Sequence, residues 1–348
     1  MRVTKYEIDM LNVGAADSFL IRFFDDEDNN KQYIVLVDAG HYDDGKRIEN
    51  FIRNRYQTST IDLAICTHCD DDHFGGFIYL CEQMLNNPYT NIKIKKILIN
   101  DPGLHCNSAE FQRYRNDDSA QKNARKVYDS CNKNLLDLLS KLRNLGMISL
   151  NEAFSNGHNS EFGGTIDIIG PSIEYYESLV PSFRNGMIPN YNYDVDNDEA
   201  DAEINETKIY SQTLEDAGDD ESPHNQSSIM FVFKPSDGKI FLFTGDAGCA
   251  AFDHIYYHED VEKIKNVYWL KVPHHGSKKN LNNKWLNHIH PQVAYISTEK
   301  YTHYLSKAVV NALNKSGCTV YSTHIQNNIW HHQRTPNRED YSTATPLI

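Results

Sequence analysis

Thr67-His68-Cys69-Asp70-Asp71-Asp72-His73-Phe74-Gly75-Gly76 decides the reading of this chain. The apolar run before it, Ile61-Asp62-Leu63-Ala64-Ile65-Cys66, reads as a buried strand. The polar cluster therefore sits where a strand ends, on a turn, with the glycine pair opening the next element. His68, Asp70, Asp72 and His73 all fall within six residues, and each can ligate a metal. His68 and Asp70 are two apart and Asp72 and His73 are adjacent, so one turn can aim two pairs at two neighbouring points. Imidazole mixed with carboxylate suits zinc, manganese or iron and differs from the thiolate set of a closed structural zinc site. Three aspartates alone would read as a solvated acidic turn. Two flanking histidines on a strand-to-glycine turn make this a metal site, with Cys69 read as a core-facing spacer.

Outward from this stretch the same arrangement recurs. Val3–Met10, Phe19–Phe24 and Tyr33–Val37 carry strand signals, and the third ends in Asp38-Ala39-Gly40. Phe77–Leu85 is helix-like and Ile92–Ile99 returns to strand character. Asp101–Ser119 is irregular and polar, in the position of a lid. Apolar residues at three- and four-residue spacing predict one long helix over Ser119–Leu145, with Gly146 after its end. Short strands are expected at Met147–Leu150 and Thr165–Ile169. In the second half, strands Ile229–Lys234 and Lys239–Phe243 flank an Asp237-Gly238 hairpin turn, and the latter runs into Thr244-Gly245-Asp246. Val267–Val272 ends in Pro273-His274-His275-Gly276-Ser277. Val293–Ser297 precedes His303 and a helix over Lys307–Ser316. Cys318–Tyr321 is expected as the last strand, with a polar tail from Asn328 onward. Asp38, His68, Asp70, Asp72, His73, Asp246 and His274/His275 thus fall at strand ends, on one edge of a layered α/β sandwich.

The 348 residues carry a net charge of −14, but twelve acids lie between Asp194 and Glu221 against Lys208 alone. Pro181–Pro223 is accordingly read as an exposed acidic insertion, able to dock a protein partner, in an otherwise nearly neutral body. No basic surface of the kind that extended nucleic-acid binding demands is present, so the composition leans toward smaller phosphate substrates. Seven scattered cysteines and no leader pattern at Met1–Lys5 point to a reducing cytoplasm. No apolar run approaches the roughly 18 residues of a membrane span. One domain over 1–330 and a tail over 331–348 account for the chain; His331-His332 read as part of a solvated tail rather than a metal clasp.

Together these stretches resemble the metallo-β-lactamase-fold hydrolases, and among them the hydrolase domain of the competence DNA-uptake ComEC proteins. The matching stretches are Leu11–Gly14 with Asp17-Ser18, Val37–Gly40, Thr67–Gly76, Asn225 with Ser227, Leu242–Asp246, Leu270–Ser277 and Gly317–Tyr321. The resemblance implies a four-layer αβ/βα sandwich holding one or two divalent ions, zinc by family habit and manganese or iron as alternatives. It implies that His68 and Asp70 serve the first ion, Asp72, His73 and His275 the second, and that Asp246 bridges both. Asp70 stands where the family has a histidine, a harder ligand that leans toward manganese or iron. Asn12 replaces an aspartate, His224 is the nearest counterpart of the third-motif histidine, and His303 stands near a late family histidine.

The chemistry expected is metal-dependent hydrolysis, in which a metal-bridged hydroxide attacks a phosphodiester of a nucleotide or nucleic acid. Asp72 would orient the hydroxide, and His274 or His303 would protonate the leaving oxygen. Asn225, Ser277 and Lys278 are candidates for substrate contact. Lys279 lies beside them, and Asn225 and Ser227 also read as turn-stabilising residues. No Gly-x-Ser-x-Gly elbow or glycine-rich phosphate loop occurs. Two alternatives stay open: hydrolysis of another ester (phosphocholine ester, thioester or lactone), and a catalytically degenerate binding module.

Overall fold

A computed structural model describes residues 1–87, 92–114, 123–124, 126–157, 159–183, 214, 219–299, 305–324, 329–332 and 345–347. The first half contributes strands β1 (Lys5–Met10), β2 (Phe19–Asp25), β3 (Lys31–Val37), β4 (Thr60–Ile61), β5 (Leu63–Ile65), β6 (Lys93–Ile94), β7 (Lys96–Leu98), β8 (Asp129–Ser130), β9 (Lys133–Asn134) and β10 (Ser149–Asn151). The second contributes β11 (Ser160–Glu161), β12 (Ile166–Gly170), β13 (Met230–Phe233), β14 (Phe241–Phe243), β15 (Trp269–Lys271), β16 (Val293–Ile296), β17 (Thr319–Ser322) and β18 (Ile329–His332). Fourteen of them form two seven-stranded sheets, ordered β10-β7-β5-β3-β2-β1-β18 and β11-β12-β13-β14-β15-β16-β17, while β4 pairs with β6 and β8 with β9.

Side-chain alternation along each strand explains why both sheets are covered on both faces. Phe19, Ile21 and Phe23 of β2, Val35 and Val37 of β3, Phe231 and Phe233 of β13 and Trp269 of β15 meet between the sheets. The residues between them point outward. Leu20, Ile34, Leu36 and Ala64 pack under the helices Asp44–Arg55, Asp71–Asn86 and Leu135–Asn144. Val232, Leu242, Leu270 and Ala294 pack under the helices Cys249–Asp253, Asn283–Ile289 and Lys307–Lys315. Helix, sheet, sheet, helix is the four-layer αβ/βα sandwich expected. Strands β3, β5, β7 and β10 run parallel, as do β14 through β17. Their C-terminal ends therefore collect the polar loops on a common edge.

Several local expectations are corrected. The helix Asp71–Asn86 begins inside the ligand cluster, with Asp70 at its N-cap, so Gly75-Gly76 lie within the helix rather than opening it. Asp101–Ser119 is not wholly irregular, because Pro102–His105 and Ala109–Tyr114 are helical. The single helix over Ser119–Leu145 is not formed. Cys131 and Asn132 take left-handed backbone (φ 51° and 60°) and turn β8 into β9, and the helix starts afresh at Leu135. Asn134 caps it by accepting from the Asp137 amide, the local bonding that favours helix ends over helix interiors. Ile329–His332 is no tail: β18 pairs antiparallel with β1, so β17 is not the last strand. Most of the acidic insertion and His303 lie outside the described residues. Among the described residues no helix is long and apolar enough to cross a membrane.

Candidate metal centre

The site is assembled from the ends of β3, β5, β14, β15 and β16. Asp38, His274 and His275 there hold left-handed backbone, with φ of 55°, 44° and 51°. Such conformations cost of order 1–3 kcal/mol each and concentrate at functional sites. Asp72, His73, Asp246 and His275 each place a ligand atom within 4.8 Å of the others. His73 Nε2 stands 3.3 Å from Asp246 Oδ2 and 3.6 Å from Asp72 Oδ2. His275 Nε2 stands 3.2 Å from Asp72 Oδ2 and 3.8 Å from Asp246 Oδ2.

Beside this group lies a second. His68 Nε2 is 3.5 Å from Asp70 Oδ2, and His224 Nδ1 is 2.8 Å from Asp70 Oδ1. The rings of His68 and His73 are 4.1 Å apart, so the two groups adjoin. Asp70 makes no capping bond to its helix; its carboxylate is turned to the two imidazoles instead.

The outer nitrogens of three imidazoles are tied down. His73 Nδ1 meets Asp38 Oδ2 at 2.8 Å, His275 Nδ1 the Ser297 carbonyl at 2.9 Å, and His68 Nδ1 Thr67 Oγ1 at 3.1 Å. Thr67 in turn donates through Oγ1 and its amide to the two oxygens of Asp38, each at 2.8 Å. With Nδ1–H donating outward, each Nε2 is left with a lone pair facing the site, as in metal-ligating histidines. Nε2 of His68 and of His73 is buried and has no hydrogen-bond partner. Burial without a partner is costly for such atoms, and a divalent cation would satisfy both. The Asp72, His73, Asp246 and His275 cluster fits a divalent ion.

Electrostatics agree. Burial alone would raise Asp246, yet His73, Lys271 and His275 outweigh it and hold the carboxyl well below the usual range. Asp70 is depressed in the same way against burial, by His224 and His68. Burial would lower His274, but Asp246 and Asp220 outweigh that and push it up to about 9. The site is thus a set of buried carboxylates facing imidazoles and the Lys271 ammonium, a donor set suited to a metal ion.

The structure brings together His68, Asp70, Asp72, His73, Asp246 and His275, and it adds His224 to the Asp70 side. His274 lies at the margin, with Nε2 3.9 Å from Asp246 Oδ2 and Nδ1 3.2 Å from Asp220 Oδ2. Asn225 is buried and donates from Nδ2 to Asp220 Oδ2 at 2.7 Å, a bracing contact. Ser277 Oγ accepts from the Lys279 amide at 3.3 Å, and Lys278 beside it is half-exposed.

Three participants were not singled out by sequence. Asp17 is fully buried behind the imidazoles, 3.7 Å from His275 Nδ1 and 3.9 Å from His73 Nδ1. Lys271 pairs with both Asp17 and Asp246. Asp220, at the end of the acidic segment, joins His274, Asn225 and Asn280. A lysine inside the apolar run Trp269-Leu270-Lys271-Val272 is a usable signal, since a buried lysine needs a carboxylate. Asp220 offers none, being one of twelve acids.

Residues 11–149 match the family model of the metallo-beta-lactamase superfamily. No curated protein matches the chain. Among solved structures, the metallo-beta-lactamase fold protein YhfI from Bacillus subtilis aligns over 93% of this chain and 100% of that one, with a TM-score of 0.44 and 8% identity. A long form RNase Z from yeast aligns over 93% of this chain and 42% of that one, with a TM-score of 0.40 and 12% identity.

Proposed function

We propose that this chain, which has the metallo-β-lactamase fold, is a metal-dependent hydrolase that cleaves a phosphodiester. One observation carries the reading: Asp72, His73, Asp246 and His275 converge within 4.8 Å, with His68, Asp70 and His224 adjoining. Paired-ion sites serve phosphatases and nucleases, where the ions supply Lewis acidity, lower the pKa of an attacking water and neutralise charge on the phosphoryl oxygens. In this reading His68, Asp70 and His224 hold one ion, and Asp72, His73 and His275 the other. Asp246, whose Oδ2 faces His73 and His275, would complete the donor set, and zinc, manganese or iron suits it.

The chain's own groups do the rest. Asp38 and the Ser297 carbonyl fix the imidazole orientations. Asp72 orients the attacking water. His274, its Nδ1 held 3.2 Å from Asp220 Oδ2 and from Asn280 Oδ1, keeps Nε2 toward the site and gives a proton to the leaving oxygen. Ser277 and Lys278, which follow the histidine pair after Gly276, meet the phosphate. In this reading the substrate is a nucleotide or nucleic acid, and the motifs resemble those of the ComEC hydrolase domain.

Hydrolysis of bis-p-nitrophenyl phosphate by wild type and Asp72→Ala, each with Mn²⁺, Zn²⁺ or chelator, tests this. The expected result is ion-dependent turnover that falls by about 10²–10⁴ in the variant. No turnover from protein holding two ions would overturn the phosphodiester reading.

A further inference from the structure

Cys69 belongs to the core under the helices of the first sheet, yet its Sγ also meets polar neighbours. Its Sγ, a carboxylate oxygen of Asp70 and a ring nitrogen of His224 all lie within 4.8 Å of one another. Cys69 is 4% exposed and His224 7%. Two ligands bound at about 2.0–2.3 Å can stand at most roughly 4.6 Å apart, so small side-chain movements bring all three onto one ion.

A second observation points to the same place. His68 Nε2 is buried, has no hydrogen-bond partner, and faces Asp70 Oδ2 at 3.5 Å. The Asp70 carboxylate therefore has an imidazole lone pair on one side and a thiol and a second imidazole on the other. Cys66 shows the contrast: three residues earlier and equally buried, it turns its Sγ–H to the His68 carbonyl at 3.4 Å and joins no ligand group among the described residues.

We propose that Cys69 is a thiolate ligand of the first ion, which is then held by His68, Asp70, Cys69 and His224. This rests on the metal reading above and sharpens it. On binding, the S–H bond breaks, a sulfur–metal bond forms and the proton leaves to solvent, with no change of oxidation state. Thiolate is a soft donor, so it selects zinc or ferrous iron over manganese or magnesium. That reverses the lean toward harder ions that Asp70 gives alone.

The test is titration of the full-length protein with Co²⁺, read by absorption. The expected spectrum has visible cobalt bands plus a near-ultraviolet thiolate-to-cobalt charge-transfer band. That band persists in Cys66→Ser and vanishes in Cys69→Ser, and calorimetry in buffers of different ionisation enthalpy counts one more proton released by wild type than by Cys69→Ser. Should Cys69→Ser fail to fold, the wild-type and Cys66→Ser spectra still decide whether a thiolate ligates. Two bound Co²⁺ ions with no charge-transfer band would overturn the Cys69 assignment and leave the metal centre standing. No bound Co²⁺ at all would overturn both.

Discussion

Lys271 Nζ is held on three sides. It pairs with Asp17 and with Asp246 Oδ1 at 3.1 Å, and it donates to the Gly245 carbonyl at 2.6 Å. Burial would lower its pKa, but the two carboxylates outweigh burial and hold it above the usual range. A proton donor so fully engaged is a poor acid; its work is to neutralise Asp17 and occupy one oxygen of Asp246. The other oxygen, Oδ2, then faces His73, His274 and His275. Lys271→Met leaves two buried carboxylates short of a counter-charge and is expected to cost about 3–5 kcal/mol. Denaturant unfolding of the metal-free protein measures this. A loss below about 0.5 kcal/mol would show that Asp17 is neutral or paired elsewhere.

At the scale of elements, the helix Asp71–Asn86 lies backbone against backbone on the turn after β3. A Cβ on Gly76 would stand 2.1 Å from the Ala39 carbonyl oxygen, and one on Gly75 2.8 Å from the Tyr42 nitrogen. Only glycine permits that approach. It sets the bonds from the Ala39 amide to the His73 carbonyl at 2.8 Å and from the Gly76 amide to the Gly40 carbonyl at 3.0 Å. It also carries His73 Nδ1 to Asp38. Gly76→Ala should therefore cost about 1–3 kcal/mol and, by drawing His73 from Asp38, weaken metal binding about 10–100-fold. Gly157→Ala, whose Cβ would meet nothing closer than 3.5 Å, is the control that should change neither; equal effects from both would show that the close approach at Gly76 does not matter.

A second joint between elements is ionic. His105, at the end of the helix Pro102–His105, has Nδ1 2.9 Å from Glu177 and Nε2 3.0 Å from Glu152. Burial lowers its pKa, yet the two glutamates outweigh it and the net shift is upward. A raised folded value means the stabilisation is full below the unfolded value near 6.5 and is lost as pH rises through the folded one. His105→Gln should cost about 1–2 kcal/mol at pH 6 and less at pH 9, as measured by denaturant unfolding at both. A cost independent of pH would remove the charge from the account.

For the whole molecule, the metal centre joins the two sheets. His68, Asp70, Asp72 and His73 follow β5 of the first, whereas Asp246 and His275 follow β14 and β15 of the second. An ion bound only by the folded chain stabilises it by mass action, about 2.7 kcal/mol at a hundredfold excess over its dissociation constant. Adding Zn²⁺ should raise the melting temperature and chelator should lower it again, whatever the substrate. An unchanged Tm in protein shown to hold ions would mean that the site does not link the halves.

The sequence by itself determined a layered α/β sandwich and put most of the candidate ligands at strand ends. Alternating apolar strands allow two doubly covered sheets, and imidazoles and carboxylates crowded at strand ends have little other use. Local pattern misled where a helical spacing met two left-handed residues at Cys131-Asn132. It could not reach β18, whose place beside β1 is set by a pairing over 300 residues apart in the chain. Tertiary structure alone decided that His224 joins Asp70, that Lys271 compensates Asp17 and Asp246, and that Asp220 meets His274. The physical reason is the same in each case: a charge's role depends on what stands opposite it in space, and those partners are brought together only when the two sheets pack.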